Sequence, residues 1–135
     1  MRPLILLLLL TCGCSPHSSE EFQREGKAQC RTLSEQLSKI ESQEQLLKAE
    51  PELKKAFEAL VTLMIEAREF QQKHLDVVAI EMEGKEEELL QEHLRRIYGL
   101  EGGREVIERA QQEALVRLDA YERILSKKRA QPLKK

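Results

Sequence analysis

The residue pattern predicts an all-α protein: an elongated three- or four-helix antiparallel bundle, or a coiled-coil-like hairpin, after a cleaved signal. Apolar residues recur every three or four positions over long windows, the period of one helix face. Glutamate, glutamine, leucine, lysine and alanine dominate, and aromatic residues are only 4% of the chain. Strands favour β-branched and aromatic residues with period-two alternation, so no strand candidate competes. Glycine and proline fall between the periodic runs, where helices are expected to end.

The chain begins MRPLILLLLLTCGCSPHSS. Leu4 to Leu10 is an apolar run of seven residues behind Arg2, too short for a bilayer span, which needs about 20. A basic start, a short apolar core and then small residues match an export signal, so residues 1–13 are set aside from the fold. Thr11-Cys12-Gly13-Cys14 resembles the cleavage box of bacterial lipoproteins, in which the chain is cut before a cysteine whose sulfur carries a diacylglyceryl group. Small Gly13 precedes Cys14, whereas Thr11 precedes Cys12, so Cys14 is the expected lipidation site. Cys12 stands where that family usually has a small, non-thiol residue. The resemblance implies membrane lipid as a covalent anchor and a place in the bacterial cell envelope. Ser15 resembles the outer-membrane sorting choice of such proteins, which implies an outer-membrane location facing the periplasm. One acyl chain holds a protein only marginally, whereas two or three make release slow.

Residues 14–21 then read as a lipidated polar tether, 22–130 as a helical domain and 131–135 as a basic C-terminal tail. This length supports one modest domain. The formal net charge is −2, and −3 once Arg2 leaves with the signal, which gives no general affinity for nucleic acid. His17 falls in the tether and is expected to be exposed.

The first helix is expected from about Glu20 to Ala49, with Cys30, Leu33, Leu37, Ile40, Glu44 and Leu47 on one face and Gly26 as a weak spot. Pro51 is expected to open the second helix, since proline fits a first turn whose N–H groups are unpaired, and Glu52 suits that end of the dipole. Leu53, Phe57, Leu60, Met64, Ala67, Gln71, His74 and Val78 alternate by four and three, like coiled-coil seam positions. Val61, Ile65, Leu75 and Met82 widen the stripe towards a bundle. A continuous helix over 51–83 is one expectation, and a break in the polar stretch around Gln71, Lys73 and His74 is the other. Gly84 interrupts the pattern, Lys85 to Tyr98 resumes it through Leu90, Leu94 and Ile97, and Gly99 is expected to cap that helix in a left-handed conformation. Gly102 and Gly103 mark a turn. The last helix, about Arg104 to Lys127, repeats Val106, Ile107, Ala110, Ala114, Leu118, Tyr121 and Leu125, with Leu115 and Ile124 beside the line. Its basic end suits the helix dipole, and Pro132 limits extension.

Cys30 is the one thiol expected to remain, and an odd cysteine in an oxidising compartment invites an intermolecular disulfide. Its apolar helix face supports the opposite reading, a buried inert thiol. The residues show no catalytic, cofactor or metal constellation. His74 and His93 lack the His-Glu-x-x-His spacing, His74 reads as a polar seam residue, and Ser34 and Ser38 have no placed base. Glu81 to Glu92 is rich in carboxylates but broken by Gly84, with no sign of a pocket that would set two pKa values apart. The glycines near 99–103 lack the strand and lysine of a phosphate loop. No enzyme and no small-molecule substrate are therefore expected.

Surface interaction remains: a lipid-anchored envelope protein acting as a non-enzymatic interaction, scaffold or assembly factor, with an envelope protein or a second copy as partner. Its expected contacts are an uncovered side of the stripe, with Leu53, Phe57, Leu60, Met64 and Val78, and the basic residues Lys127, Lys128, Arg129, Lys134 and Lys135. The basic end suits acidic lipid headgroups, a polyanionic envelope polymer or a partner. An exclusion, immunity or inhibitor lipoprotein is the alternative. In size, export route and helical character the chain also resembles the small pilot lipoproteins that guide secretin subunits to the outer membrane. Cys14→Ser is expected to prevent lipid attachment and leave precursor or a soluble exported form; an unchanged lipid mass in that variant would sink the assignment.

Overall fold

The computed structural model describes residues 16–76 and 84–131. They form four helices, α1 (Ser19–Ser38), α2 (Gln43–Lys73), α3 (Lys85–Tyr98) and α4 (Gly103–Ala130), in an all-α bundle with no strand among the described residues.

Helix α1 starts where Ser18, in extended backbone, accepts the Glu21 N–H on its side chain at 3.2 Å. Such a cap satisfies one of the four unpaired donors of the first turn. Phe22, Gly26, Cys30, Leu33 and Leu37 then line its buried face. The helix stops at Ser38, well before the expected Ala49. The Ile40 N–H closes back on the Leu37 carbonyl at 3.1 Å, and Ser42 caps a new helix by accepting the Gln45 N–H at 3.3 Å. The Gln45 side chain in turn accepts the Glu41 N–H at 2.7 Å, close to the reciprocal box that a Ser-x-x-Gln spacing builds.

The helix junction is therefore residues 39–42 and not Pro51. Pro51 is exposed within α2, where its missing N–H lies on the solvent side. Glu44 and Leu47, expected on the face of α1, belong to α2 and are exposed, whereas Leu46 is fully buried. Helix α2 ends at Lys73, so of the two expectations for this stretch the break holds, and at 31 residues the helix spans about 46 Å. His74 is its exposed C-cap and not a polar seam residue; its ring lies 4.4 Å from that of Phe70. Val78 and Met82 lie outside the described residues.

Gly84 precedes α3, whose first turn carries Glu86, Glu87 and Glu88, a placement that complements the positive end of the helix dipole. Gly99 follows with φ −77°, an ordinary right-handed value, and the left-handed residue is instead Gly102 at φ 69°. Between them the Leu100 N–H bonds the Ile97 carbonyl and the Gly103 N–H bonds the Leu100 carbonyl, both at 3.0 Å. Arg104 stacks over the Tyr98 ring at 5.3 Å.

Cross-helix pairs give the topology. Phe22 near the start of α1 stacks on Phe70 near the end of α2, so these helices form an antiparallel hairpin. Arg31 and Arg96 pair α1 with α3 in parallel, through Glu86 and through the Leu37 and Ile40 carbonyls respectively. Glu50–Arg109, Lys54–Glu113, Thr62–Arg117 and Arg68–Glu122 pair α2 with α4 in parallel. Two hairpins thus lie side by side, with α1 on α3 and α2 on α4, while α1 and α4 occupy opposite corners. Successive helices are antiparallel as expected, but the packing between hairpins is parallel.

The main core joins Leu33, Leu37, Ile40, Leu46, Leu53 and Phe57 to Leu90, Leu94, Ile97, Val106 and Ile107. A smaller cluster of Phe22, Leu63 and Ala67, with Phe70 against it, lies towards the free end of the first hairpin. In the turn between α3 and α4, a Cβ built on Gly103 falls 1.9 Å from the Ile97 carbonyl oxygen, whereas one on Gly102 meets only the end of the Gln43 side chain at 3.0 Å. Gly103→Ala is expected to cost about 3 kcal/mol, the upper part of the overpacking range. Gly102→Ala, which forces an L-residue into left-handed backbone, is expected to cost about 1–2 kcal/mol. Urea midpoints at constant slope measure both, and the reverse order would contradict this turn geometry.

Candidate interaction surface

The expected apolar contact stripe is largely used inside the molecule. Leu53 is 0% exposed and Phe57 6%, so neither is available as a surface contact: once α4 packs along α2, the face that looked open is core. Leu60 packs half-buried against the core and Met64 is also half-buried. The substantially exposed large apolar residues among those described are Leu47, Leu75, Leu89, Tyr98, Leu115, Val116 and Ile124, distributed over all but α1. Leu115 and Val116 share one turn of α4, on the side away from Ala110 and Ala114.

Sequence spacing missed the polar contacts that join the hairpins. Arg109 meets Glu50 through two hydrogen bonds, 2.9 and 3.0 Å, and this contact holds the Glu50 carboxyl below the usual carboxylate range. The Lys54 ammonium donates to Glu113 at 2.8 Å and likewise lowers its pKa. The Glu86 carboxyl is lowered chiefly by its own backbone N–H and then by Arg31. Lowered carboxyl values contribute stability above the unfolded carboxylate pKa, and that contribution is lost as pH falls through the folded value. These pairs are solvent-exposed, so they set register more than they add stability. The available signal was four acid–base partners at a nearly fixed separation, visible only once the hairpins are placed side by side.

The groups weighed for chemistry have structural surroundings. Ser34 is buried, Ser38 donates to the Glu35 carbonyl at 2.7 Å, and His93 is half-buried on α3. The carboxylates of Glu87, Glu88 and Glu92 line an open depression with Gln91 and Arg95. Among the described residues no group of three histidine, cysteine or acidic side chains is arranged to hold a metal ion, and no helix is long and apolar enough to cross a membrane.

Cys30 is 7% exposed, in the core between α1 and α3. Burial pushes its thiol pKa up, and the carboxylates of Glu87 and Glu86 add to the effect. The structure shows the burial that the second reading expects, and this burial argues against the intermolecular disulfide, because the sulfur is sheltered and the thiolate needed for exchange is disfavoured.

Lys127, Lys128 and Arg129 form the last turn of α4 and are fully on the surface. Cys14, Lys134 and Lys135 lie outside the described residues. Three surface features therefore remain from the expected set: the half-buried edge at Leu60 and Met64, the exposed pair Leu115 and Val116, and the basic end of α4. Compared with family models, curated proteins and solved structures, the chain matches none.

The Cys30 geometry predicts that a maleimide will label its peptide in the native protein at least a hundredfold more slowly than in urea, with the protection persisting at pH 8.5. Rapid native labelling, or a Cys30-linked dimer under non-reducing conditions, would contradict this burial.

Proposed function

We propose that this chain is a lipid-anchored bacterial envelope protein whose helical bundle works through its surface, as an interaction, scaffold or assembly module without chemistry of its own. The observation that supports it best is the junction between the Cys14 cleavage box and the first helix. Ser18 already caps α1, so only a few residues separate the expected lipid from a folded domain. Such a domain is held close to one membrane face rather than on a long leash.

The physical advantage is confinement. A partner in the same membrane meets the bundle at an effective concentration set by a short tether, so a modest interface suffices. The surface supports this use: the described depressions are open and shallow in character, the core side chains are committed to packing, and exposed apolar residues such as Leu115 and Val116 remain on α4.

The test is capture of the membrane-extracted full chain after brief in-cell crosslinking, with the mass of the N-terminal peptide read from the same sample. The expected result is an acylated Cys14 peptide together with one recurring envelope adduct. An adduct made only of this chain would assign the partner as a second copy. Soluble protein with unmodified Cys14 and no adduct would overturn the proposal.

A further inference from the structure

We infer that the C-terminal end of α4 is a second membrane contact, in which Lys127, Lys128 and Arg129 meet anionic phospholipid headgroups of the bilayer that holds Cys14; this rests on the anchored reading proposed above. Topology carries the argument. Helix α1 runs antiparallel to α2, and α2 runs parallel to α4, so the start of α1 and the end of α4 lie at the same end of the bundle. The lipidated residue precedes α1 directly. The basic end of α4 is therefore on the anchor side and not at the opposite pole.

The levels of the helices sharpen this. Arg68 pairs with Glu122, which gives one common level on α2 and α4. From that level α2 continues only to Lys73, about 7.5 Å, whereas α4 continues to Ala130, about 12 Å. Phe22 stacks on Phe70, so the start of α1 at Ser19 stands at about the same height as the end of α2. The Glu50–Arg109 and Lys54–Glu113 pairs put the end of α4 two residues short of that of α2 instead, so the two helices end within about one turn of each other, and the last turn of α4 carries the cations. The four residues from Cys14 to Ser18 reach at most about 14 Å when extended. An anchored bundle consequently keeps this turn within about a Debye length or two of the headgroups, where the screening distance is about 8 Å.

Charge distribution agrees with the geometry. Residues 123–131 contain Arg123, Lys127, Lys128 and Arg129 and no acidic residue, and Lys134 and Lys135 follow in sequence. The acidic residues at this end are Glu20 and Glu21 on α1, Asp76 just past α2 and, set further back by the Arg31–Glu86 pair, Glu86, Glu87 and Glu88 in the first turn of α3; Glu20 and Glu21 sit at the positive pole of their helix, and Glu21 also accepts the His17 N–H. A polyanionic polymer or protein partner would have to reach this end in the space next to the bilayer, whereas the headgroups are already there.

The test uses the membrane-extracted, full mature protein reconstituted into vesicles of phosphatidylcholine alone or with one-third phosphatidylglycerol. A membrane-impermeant amine reagent labels exposed lysines, and mass spectrometry reads each site together with the Cys14 peptide. Lys48, near the opposite end of the bundle, is the internal reference. The expected result is labelling of Lys127 and Lys128 at least about fivefold slower on the anionic vesicles, the scale of one surface cation held at a charged leaflet. Lys48 should label equally on both, and the difference should disappear at about 1 M salt, where charges are screened beyond about 3 Å. Equal labelling of Lys127 and Lys128 on the two vesicles, with Cys14 acylated, would overturn the headgroup contact alone. Absence of an acyl mass on the Cys14 peptide would overturn the anchored reading, and this orientation with it.

Discussion

Arg96 holds the bundle together at the point where its two halves must agree. Its guanidinium donates to two carbonyls, both at 2.6 Å: that of Leu37, which also accepts the Ile40 N–H at the end of α1, and that of Ile40, just past the helix. A residue of the second hairpin thereby completes the terminus of a helix in the first. A charge-assisted bond of this kind contributes more than a neutral one, and removing its donor takes a part-buried partner from both carbonyls. The contact also dictates direction: with Arg96 near the end of α3 and its acceptors at the end of α1, those two helices can only run in parallel. The parallel pairing of α2 and α4 follows, because each is joined to its predecessor by a short reversal.

Packing quality changes along the bundle accordingly. Leu33, Leu37, Leu46, Leu53, Ile97 and Ile107, the largest fully buried side chains, lie towards the end that contains both short turns. At the opposite end the described core shrinks to Phe22, Leu63, Ala67 and Phe70, where the aromatic pair is tilted at 5.3 Å, within the favourable range for such rings. One pole is closed by covalent turns, glycine contacts and Arg96. The other holds helix termini and the approach to Cys14. The proposed division of labour uses that asymmetry: stability at the turn pole, attachment and contact at the other.

Helical content, the boundaries of α3 and α4 and the Cys30, Leu33 and Leu37 part of the buried face of α1 were legible because they follow from local periodicity and from glycine. The break at residues 39–42 was not, since nothing apolar is missing there and Pro51 offered a louder stop signal. Ser42 and Gln45 carried the correct one, a cap with its reciprocal partner, without any proline. The stripe through Leu53 and Phe57 was read correctly as apolar and wrongly as open, because a face in the sequence does not say which helix will cover it. Arg96 was invisible for a related reason: its partners are carbonyls, which every residue has. The basic end of α4 was plain in the sequence, yet its position at the same end of the bundle as the start of α1 depended wholly on the parallel pairing of the hairpins.

That pairing leaves a numerical trace. Among the described residues, every side-chain hydrogen bond between the two hairpins joins residues separated by 55 to 59 positions, Arg31–Glu86 and Arg117–Thr62 among them. These contacts are therefore closed by loops of nearly one length, and the Arg68–Glu122 ion pair, at a separation of 54, is close to it. In a folding chain, each hairpin can form from neighbouring residues, and the first pairing between them bears almost the whole entropic cost of closure, which grows only slowly with loop length. Later pairings then propagate in step along both interfaces. The spacing favours assembly in the manner of a zipper with two rows of teeth, in which a slip of one row would have to carry the other with it.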